Sequence, residues 1–282
     1  MATGFGAMMI DLSASTEPDL RLAARVLTRV DDVANAVGVE YLVVGATART
    51  ILSIGLVGGP PERATQDIDI AAAMGTWDDF EEFVSRLERH GRSAHSFLVE
   101  GIEVDVLPYG GIEDDDRTIL WPDDHRMNVR GLREAVASAE SVILPGGLVI
   151  KVPAVPALAL LKLLTWWDRR ATTTHDAIDL GTMIGWYSSG PYWDRLYDEE
   201  LEVLERHGFD PALAGAWLLG SHMPELLDSD GVAVLLGIVG DDDVLGRLGS
   251  DVRLTRGPVL VGALAEGIRE ASSCARSGGL ES

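Results

Sequence analysis

The sequence predicts an α/β (α+β) protein: a mixed-sheet unit over residues 1–152, followed by a helical unit over 153–282. Three observations carry this reading. Short apolar runs with alternating polarity recur through the first half, separated by stretches of helical period. After Pro153 and Pro156 the apolar spacing becomes helical. At 282 residues and 46% hydrophobic, the chain can bury one large core or two modest ones.

Residues 18–37 (PDLRLAARVLTRVDDVANAV) place apolar side chains at helical spacing and predict an amphipathic helix. YLVVG (41–45) predicts a short strand ending in glycine, and ATARTILSIGL a helix after it. GGPPERATQ reads as a turn-rich loop, and QDIDIAAA as the second strand. TWDDFEEFVSRLERHG predicts a helix capped by Thr76 and stopped near Gly91. SAHSFLVE and IEVDVLPYG predict two strands joined by a tight turn at Gly101. IEDDDRTILWPDDHR reads as an acidic loop and VRGLREAVASAE as a helix. SVILPGGLVIKV reads as a hairpin turning at Pro145-Gly146-Gly147. In the second half, VPALALLKLLTWWDRR, THDAIDLGTMIGWYSSG, PYWDRLYDEELEVLERHG and PALAGAWLLGSHMPELL each predict helix, and the tail from about Ser272 predicts loose order.

Charge narrows the partners. The formal net charge is −22, and residues 194–251 hold fourteen acids against Arg195, Arg206 and Arg247. Affinity for a long nucleic acid comes from neutralising many phosphates, so a grip along such a backbone is not expected. One nucleotide, or the end of a folded RNA, remains compatible. There are 21 arginines but only two lysines, Lys151 and Lys162. A single cysteine, Cys274, excludes an internal disulfide framework and fits a cytoplasmic location. No apolar run reaches the ~18 residues of a membrane span, and the start MATGFGAMMIDLSAS lacks the pattern of a secretory signal.

The chemistry centres on Asp67 and Asp69. Strand side chains alternate, so these two carboxylates project from one face while Ile68 and Ile70 project from the other. Paired carboxylates resist joint ionisation unless a cation lies between them, and such pairs hold Mg²⁺ on nucleotide phosphates. Upstream, Gly45 permits close approach to a phosphate, and Thr47 offers a hydroxyl at a helix start. Downstream, Asp105 shares a strand face with Glu103. If that strand lies beside the first, Asp105 is a third carboxylate facing the same metals and able to accept the proton of an attacking hydroxyl. Lys162 suits a contact with triphosphate oxygens; the plainer reading is a salt bridge from Lys162 or Arg169 to Asp176 or Asp179 on the next helix. His175 is a lesser candidate for a base. Trp166 and Trp167 read as core, and Arg126, Arg130 and Arg133 as a solvated helix face or an acceptor's landing site.

The order of motifs resembles a known family. A strand with G-A-T, then R-x-T-x-D-I-D, a later V-D strand, L-K-L-L-x-W-x-D-R and D-A-x-D-L are similar to AbiEii-type nucleotidyltransferases. These belong to the polymerase-beta-like superfamily and include toxins of toxin–antitoxin and phage-defence systems. The resemblance spans about residues 38–190. It implies a polymerase-beta-like domain, Mg²⁺ (or Mn²⁺) as cofactor and a nucleoside triphosphate as substrate. By it, Gly45, Thr47 and Arg63 contact phosphates, Asp67 and Asp69 hold metal, and Lys162 contacts the nucleotide. Asp105 and Asp176 both remain candidates for the base. The usual second glycine of the first motif is Ala46 here. The resemblance implies a tRNA 3′ end or a protein hydroxyl as acceptor, with an antitoxin as a further partner. Two alternatives stand beside this one: transfer to a small aminoglycoside-like molecule, which the acidic charge suits, and a nucleotide-binding regulator without catalysis.

Overall fold

The computed structural model describes residues 9–59, 67–91, 93–122 and 124–278. The chain forms two compact units, Met1–Ala154 and Val155–Ser282.

The first unit opens with strand β1 (Met9–Asp11) and helix α1 (Pro18–Val37). Proline in the first turn of α1 and Gly38 in the left-handed conformation after it bound the helix as the sequence predicts. Its buried stripe includes Leu20, Val26, Leu27, Val30 and Val33. Strand β2 (Tyr41–Val44) leads into α2 (Gly45–Leu52), which continues as one turn of π-helix over Ser53–Val57. Strand β3 (Asp67–Met74) follows. Helix α3 (Trp77–Val84) carries a full capping box: Thr76 Oγ accepts from Asp79 N, and Asp79 accepts from Thr76 N.

Helix α3 is shorter than the sequence predicts. After Val84 the apolar period ends, and Glu88–Arg89 forms the short edge strand β4 against β5 (Ser96–Val99). Strand β6 (Ile102–Gly110) returns through the expected tight turn, where Glu100 (φ 52°) and Gly101 (φ 78°) are both left-handed. The main sheet runs β2-β3-β6-β5-β4; β3 and β6 are parallel and the other pairs antiparallel, so it is a mixed sheet.

The expected acidic loop holds a small hairpin instead, β7 (Thr118–Leu120) with β8 (Arg126–Asn128). Three of its acids are paired locally: Arg126 bridges Asp114 and Asp116, and Arg117 bridges Glu113, reaching also to Glu134. Ile119 and Trp121 are buried, with Trp121 packed edge-on against Trp77 and Phe80. Helix α4 (Leu132–Ala137) leads to the expected hairpin, β9 (Ala139–Ile143) and β10 (Val149–Pro153). Strand β1 adds to it in parallel beside β9, a pairing not anticipated from the sequence.

The second unit is helical: α5 (Val155–Arg169), α6 (His175–Trp186), α7 (Gly190–Asp198), α8 (Leu201–Arg206), α9 (Pro211–His222), α10 (Ser229–Val239), α11 (Asp242–Asp251) and α12 (Gly257–Gly278). The predicted single helix over 191–208 breaks between α7 and α8. Asp198, Glu199 and Glu200 place three negative charges at a helix C-terminus, where the dipole disfavours them, and Arg195 is drawn to Glu200 at 3.1 Å. The tail is ordered further than expected: α12 runs past Ser272, whose buried hydroxyl donates to the Ile268 carbonyl at 2.7 Å. Small residues set the closest helix contacts. A Cβ on Gly215 would fall 2.5 Å from the Tyr187 carbonyl oxygen, so α9 can approach only with glycine there. Among the described residues no helix is long and apolar enough to cross a membrane.

Candidate active site

The acid-bearing face of the main sheet is built by register. Asp67 pairs with Glu103 and Asp69 with Asp105 across the parallel β3–β6 ladder, so all four carboxylates project from one face. The intervening Ile68, Ile70, Val104 and Val106 project oppositely and are at most 4% exposed. Burial of those four locks the register, because a one-residue slip would turn the acids into the core.

Gly45 completes the cradle. It follows β2, whose last residue Val44 pairs with Asp69, and it has φ 64°. A Cβ on Gly45 would fall 2.7 Å from Asp69 Cγ and nearer still to Oδ2. The Asp69 carboxylate therefore occupies the space a side chain at 45 would need, beside the N-terminus of α2. Thr47 is buried, and its hydroxyl is 3.4 Å from the Asp67 carbonyl oxygen, tying α2 to the first residue of β3. Asp67 itself is exposed at the strand's start. Arg63 lies outside the described residues.

Asp105 has its own partners. Ser96 on β5 is its register partner and donates to Asp105 Oδ1 at 2.5 Å. His95 Nε2 lies 3.9 Å from Oδ2, and the same histidine's Nδ1 meets Ser93 Oγ at 3.1 Å. Burial pushes the Asp105 carboxyl above the usual carboxylate range; the Ser96 hydroxyl and His95 pull against this, while Glu103 and Asp67 add to it. Ser96 and His95 were missed from sequence. The signal was available for Ser96, since a two-residue turn at 100–101 sets residue 96 opposite residue 105. Nothing in the composition around His95 marked it.

In the second unit, Lys162 is buried on α5 and held by two carboxylates of α6: Asp176 Oδ1 at 2.9 Å and Asp179 Oδ2 at 2.8 Å. Burial lowers the lysine's pKa, but the two aspartates outweigh it and the net shift is upward. The interhelical salt bridge weighed from sequence is thus present, with Lys162 as its cation. His175 is exposed at the start of α6. Trp166 is fully buried and donates to Asp251 Oδ2 at 3.0 Å. Arg126 and Arg133 are engaged with Asp114, Asp116 and Glu113, which occupies them within the acidic segment.

The fit to a divalent metal turns on the donor set. Among the described residues no group of three or more His, Cys, Asp or Glu is gathered as a ready-made cage. Mg²⁺ does not require one, because it is commonly held by one or two carboxylates together with substrate phosphates and water. Asp67 and Asp69 supply hard oxygen donors on one face, with the Asp69 carboxylate seated in the space that a side chain at Gly45 would fill. The residues fit such an ion.

With this geometry in place, comparison with known proteins decides the family. The model of the nucleotidyl transferase AbiEii toxin, type IV toxin–antitoxin system, matches residues 30–235. The chain belongs to the AbiEii family. The matched span takes in the acid-bearing strands and the Lys162 cluster alike. No curated protein matches the chain. Among solved structures, this AbiEii protein is similar to the solution structure of the antibiotic-resistance factor ANT(2'')-Ia, with 11% identity over 67% of this chain and 97% of that one, TM-score 0.35. The crystal structure of ANT(2'')-Ia in complex with adenylyl-2''-tobramycin matches with 14% identity over 68% and 97%, TM-score 0.35. A Thermotoga maritima CCA-adding enzyme complexed with tRNA matches with 12% identity over 92% and 83%, TM-score 0.23.

Proposed function

We propose that this AbiEii protein is a metal-dependent nucleotidyltransferase that moves NMP from a nucleoside triphosphate to an acceptor hydroxyl. The observation that carries the proposal is the four-carboxylate face of β3 and β6, with Asp69 seated against Gly45. Asp67 and Asp69 would hold Mg²⁺ or Mn²⁺. That ion, when bound, neutralises phosphate charge and lowers the barrier to attack on phosphorus.

The chain's own residues do the rest. Gly45 and the first N–H groups of α2 receive phosphate oxygens, with Thr47 fixing the helix start against β3. For Arg63, a further phosphate contact is what the family resemblance implies. Asp105 accepts the proton of the acceptor hydroxyl as its oxygen bonds to the α-phosphorus; the bond to the β-phosphate oxygen breaks and pyrophosphate leaves. Two features favour Asp105 over Asp176 as base: its raised pKa and its register with Asp69. Asp176 is already committed to Lys162. Lys162 is held between Asp176 and Asp179 within the second unit, and a nucleotide contact for it rests on the family resemblance alone.

Family membership supports a tRNA 3′ end or a protein hydroxyl as acceptor, in a cytoplasmic toxin–antitoxin setting, and the charge leaves the end of a folded RNA compatible. The net charge of −22 also favours a second reading, transfer to a small cationic aminoglycoside-like acceptor. Incubating the protein with each α-³²P-labelled NTP, Mg²⁺ or Mn²⁺, and in turn tRNA, cell protein and aminoglycosides tests both. Label in one acceptor class, lost in Asp69→Asn, identifies the acceptor. No transfer to any class, with Asp69→Asn indistinguishable from the unaltered protein, overturns the proposal.

A further inference from the structure

We infer that Ser96 is a positioning residue for nucleotidyl transfer, holding the Asp105 carboxylate by its hydroxyl on the face that carries Asp67 and Asp69. This rests on the transfer reaction proposed above and adds to it a residue that the sequence motifs do not single out.

Ser96 begins β5, only 4% exposed, at a place where a β-branched or apolar residue would ordinarily fill the pleat. The next residue on that face, Leu98, is apolar and pairs with Glu103. A buried hydroxyl requires a partner, and the register supplies one directly across the ladder: Asp105 Oδ1, at 2.5 Å. A hydrogen bond from a buried hydroxyl restricts the carboxylate more than exchangeable water does.

The second oxygen is restrained as well. His95 faces Oδ2 at 3.9 Å, and its ring is fixed on two sides, by Ser93 Oγ at 3.1 Å and by the Trp121 ring with centroids 5.4 Å apart. Asp105 is thus held from the β5 side, away from β3. Without Ser96, the carboxylate would be free to rotate toward His95, and a base displaced by about 1 Å can lose on the order of 10²-fold in rate.

The test compares Ser96→Ala, Ser96→Thr and Asp105→Asn in label transfer. Ser96→Ala should lower kcat roughly 10- to 100-fold with the KM for NTP unchanged, and Ser96→Thr should recover most of the loss. In the Asp105→Asn background, Ser96→Ala should add no further loss, because the two act as one unit. Full activity in Ser96→Ala, or an undiminished loss on top of Asp105→Asn, overturns the inference. Crystal structures of the unaltered protein and Ser96→Ala give a readout that needs no turnover. Asp105 should occupy one rotamer in the first and depart from it in the second. The same rotamer in both overturns the inference, whereas an absence of transfer in every variant counts against the reaction instead.

Discussion

Gly45→Ala is a sharp probe of the proposed site, because one methyl tests backbone and chemistry together. The backbone at 45 has φ 64°, in the left-handed region, where an L-residue costs about 1 kcal/mol more than glycine. The added Cβ would lie 2.7 Å from Asp69 Cγ. Contacts below 3 Å are not tolerated, so Asp69 must leave its rotamer or β2 must separate from β3. A carboxylate can rotate more easily than a strand can shift, so Asp69 should yield. The stability loss is then modest, about 1–2 kcal/mol, which for a unit of this size lowers Tm by roughly 2–8 °C. The activity loss should be much larger, on the order of 10²-fold or more, because the displaced group is a proposed metal ligand. Differential scanning calorimetry and label transfer on the same preparation separate the two. Activity within a factor of two of the unaltered protein would refute the reasoning, since it would mean that Asp69's position against Gly45 is irrelevant to chemistry.

Other expectations follow from the same contacts. Lys162→Met leaves Asp176 and Asp179 buried without their cation and should destabilise the protein by about 3–5 kcal/mol, read by urea denaturation of the helical signal. The lysine's pKa is raised on folding, so its contribution is complete below the ordinary lysine value near 10.4 and is lost as pH climbs past that toward the folded value. Lys162→Met should flatten the alkaline limb of the stability curve, and an unchanged limb would contradict the assignment. His222 behaves in the opposite sense. Burial depresses its pKa to about 4, with Tyr187 Oη 3.1 Å from Nδ1, so its neutral form stabilises above pH ~6.5. Stability should fall by up to about 3 kcal/mol as pH drops from there to 4, and His222→Asn should weaken that dependence. Thr76→Ala removes the cap of α3 and should cost ~1 kcal/mol without altering transfer, which makes it the control for nonspecific destabilisation.

How far the site could be read in advance follows from what kind of information each part needs. Asp67 and Asp69 were legible because strand alternation is local: Ile68 and Ile70 between them mark the buried face. Whether Asp105 shares that face was conditional on strand pairing, which no local pattern states; the parallel β3–β6 register supplies it. The Thr76 cap and the turn at Gly101 were legible for the same local reason as the aspartates. The β7–β8 hairpin was not, because its acidic composition hid the fact that Arg117 and Arg126 pair with Glu113, Asp114 and Asp116 from within the segment. The break between α7 and α8 depends on a balance between helical apolar spacing and clustered end charge, and periodicity alone overrated the first. Strand β1 was missed because three residues carry too little pattern; only its pairing with β9 makes it a strand. For Lys162, spacing established that α5 and α6 each present charge on one face. It did not establish that a single lysine would serve both Asp176 and Asp179.

The most direct measurement is the anomalous diffraction of Mn²⁺ in crystals grown with a non-hydrolysable nucleoside triphosphate. An ion within coordination distance of carboxylate oxygens of both Asp67 and Asp69, with the triphosphate at the start of α2, is the expected result. An ion bound elsewhere, or a nucleotide bound with Asp67 and Asp69 away from any metal, would contradict it.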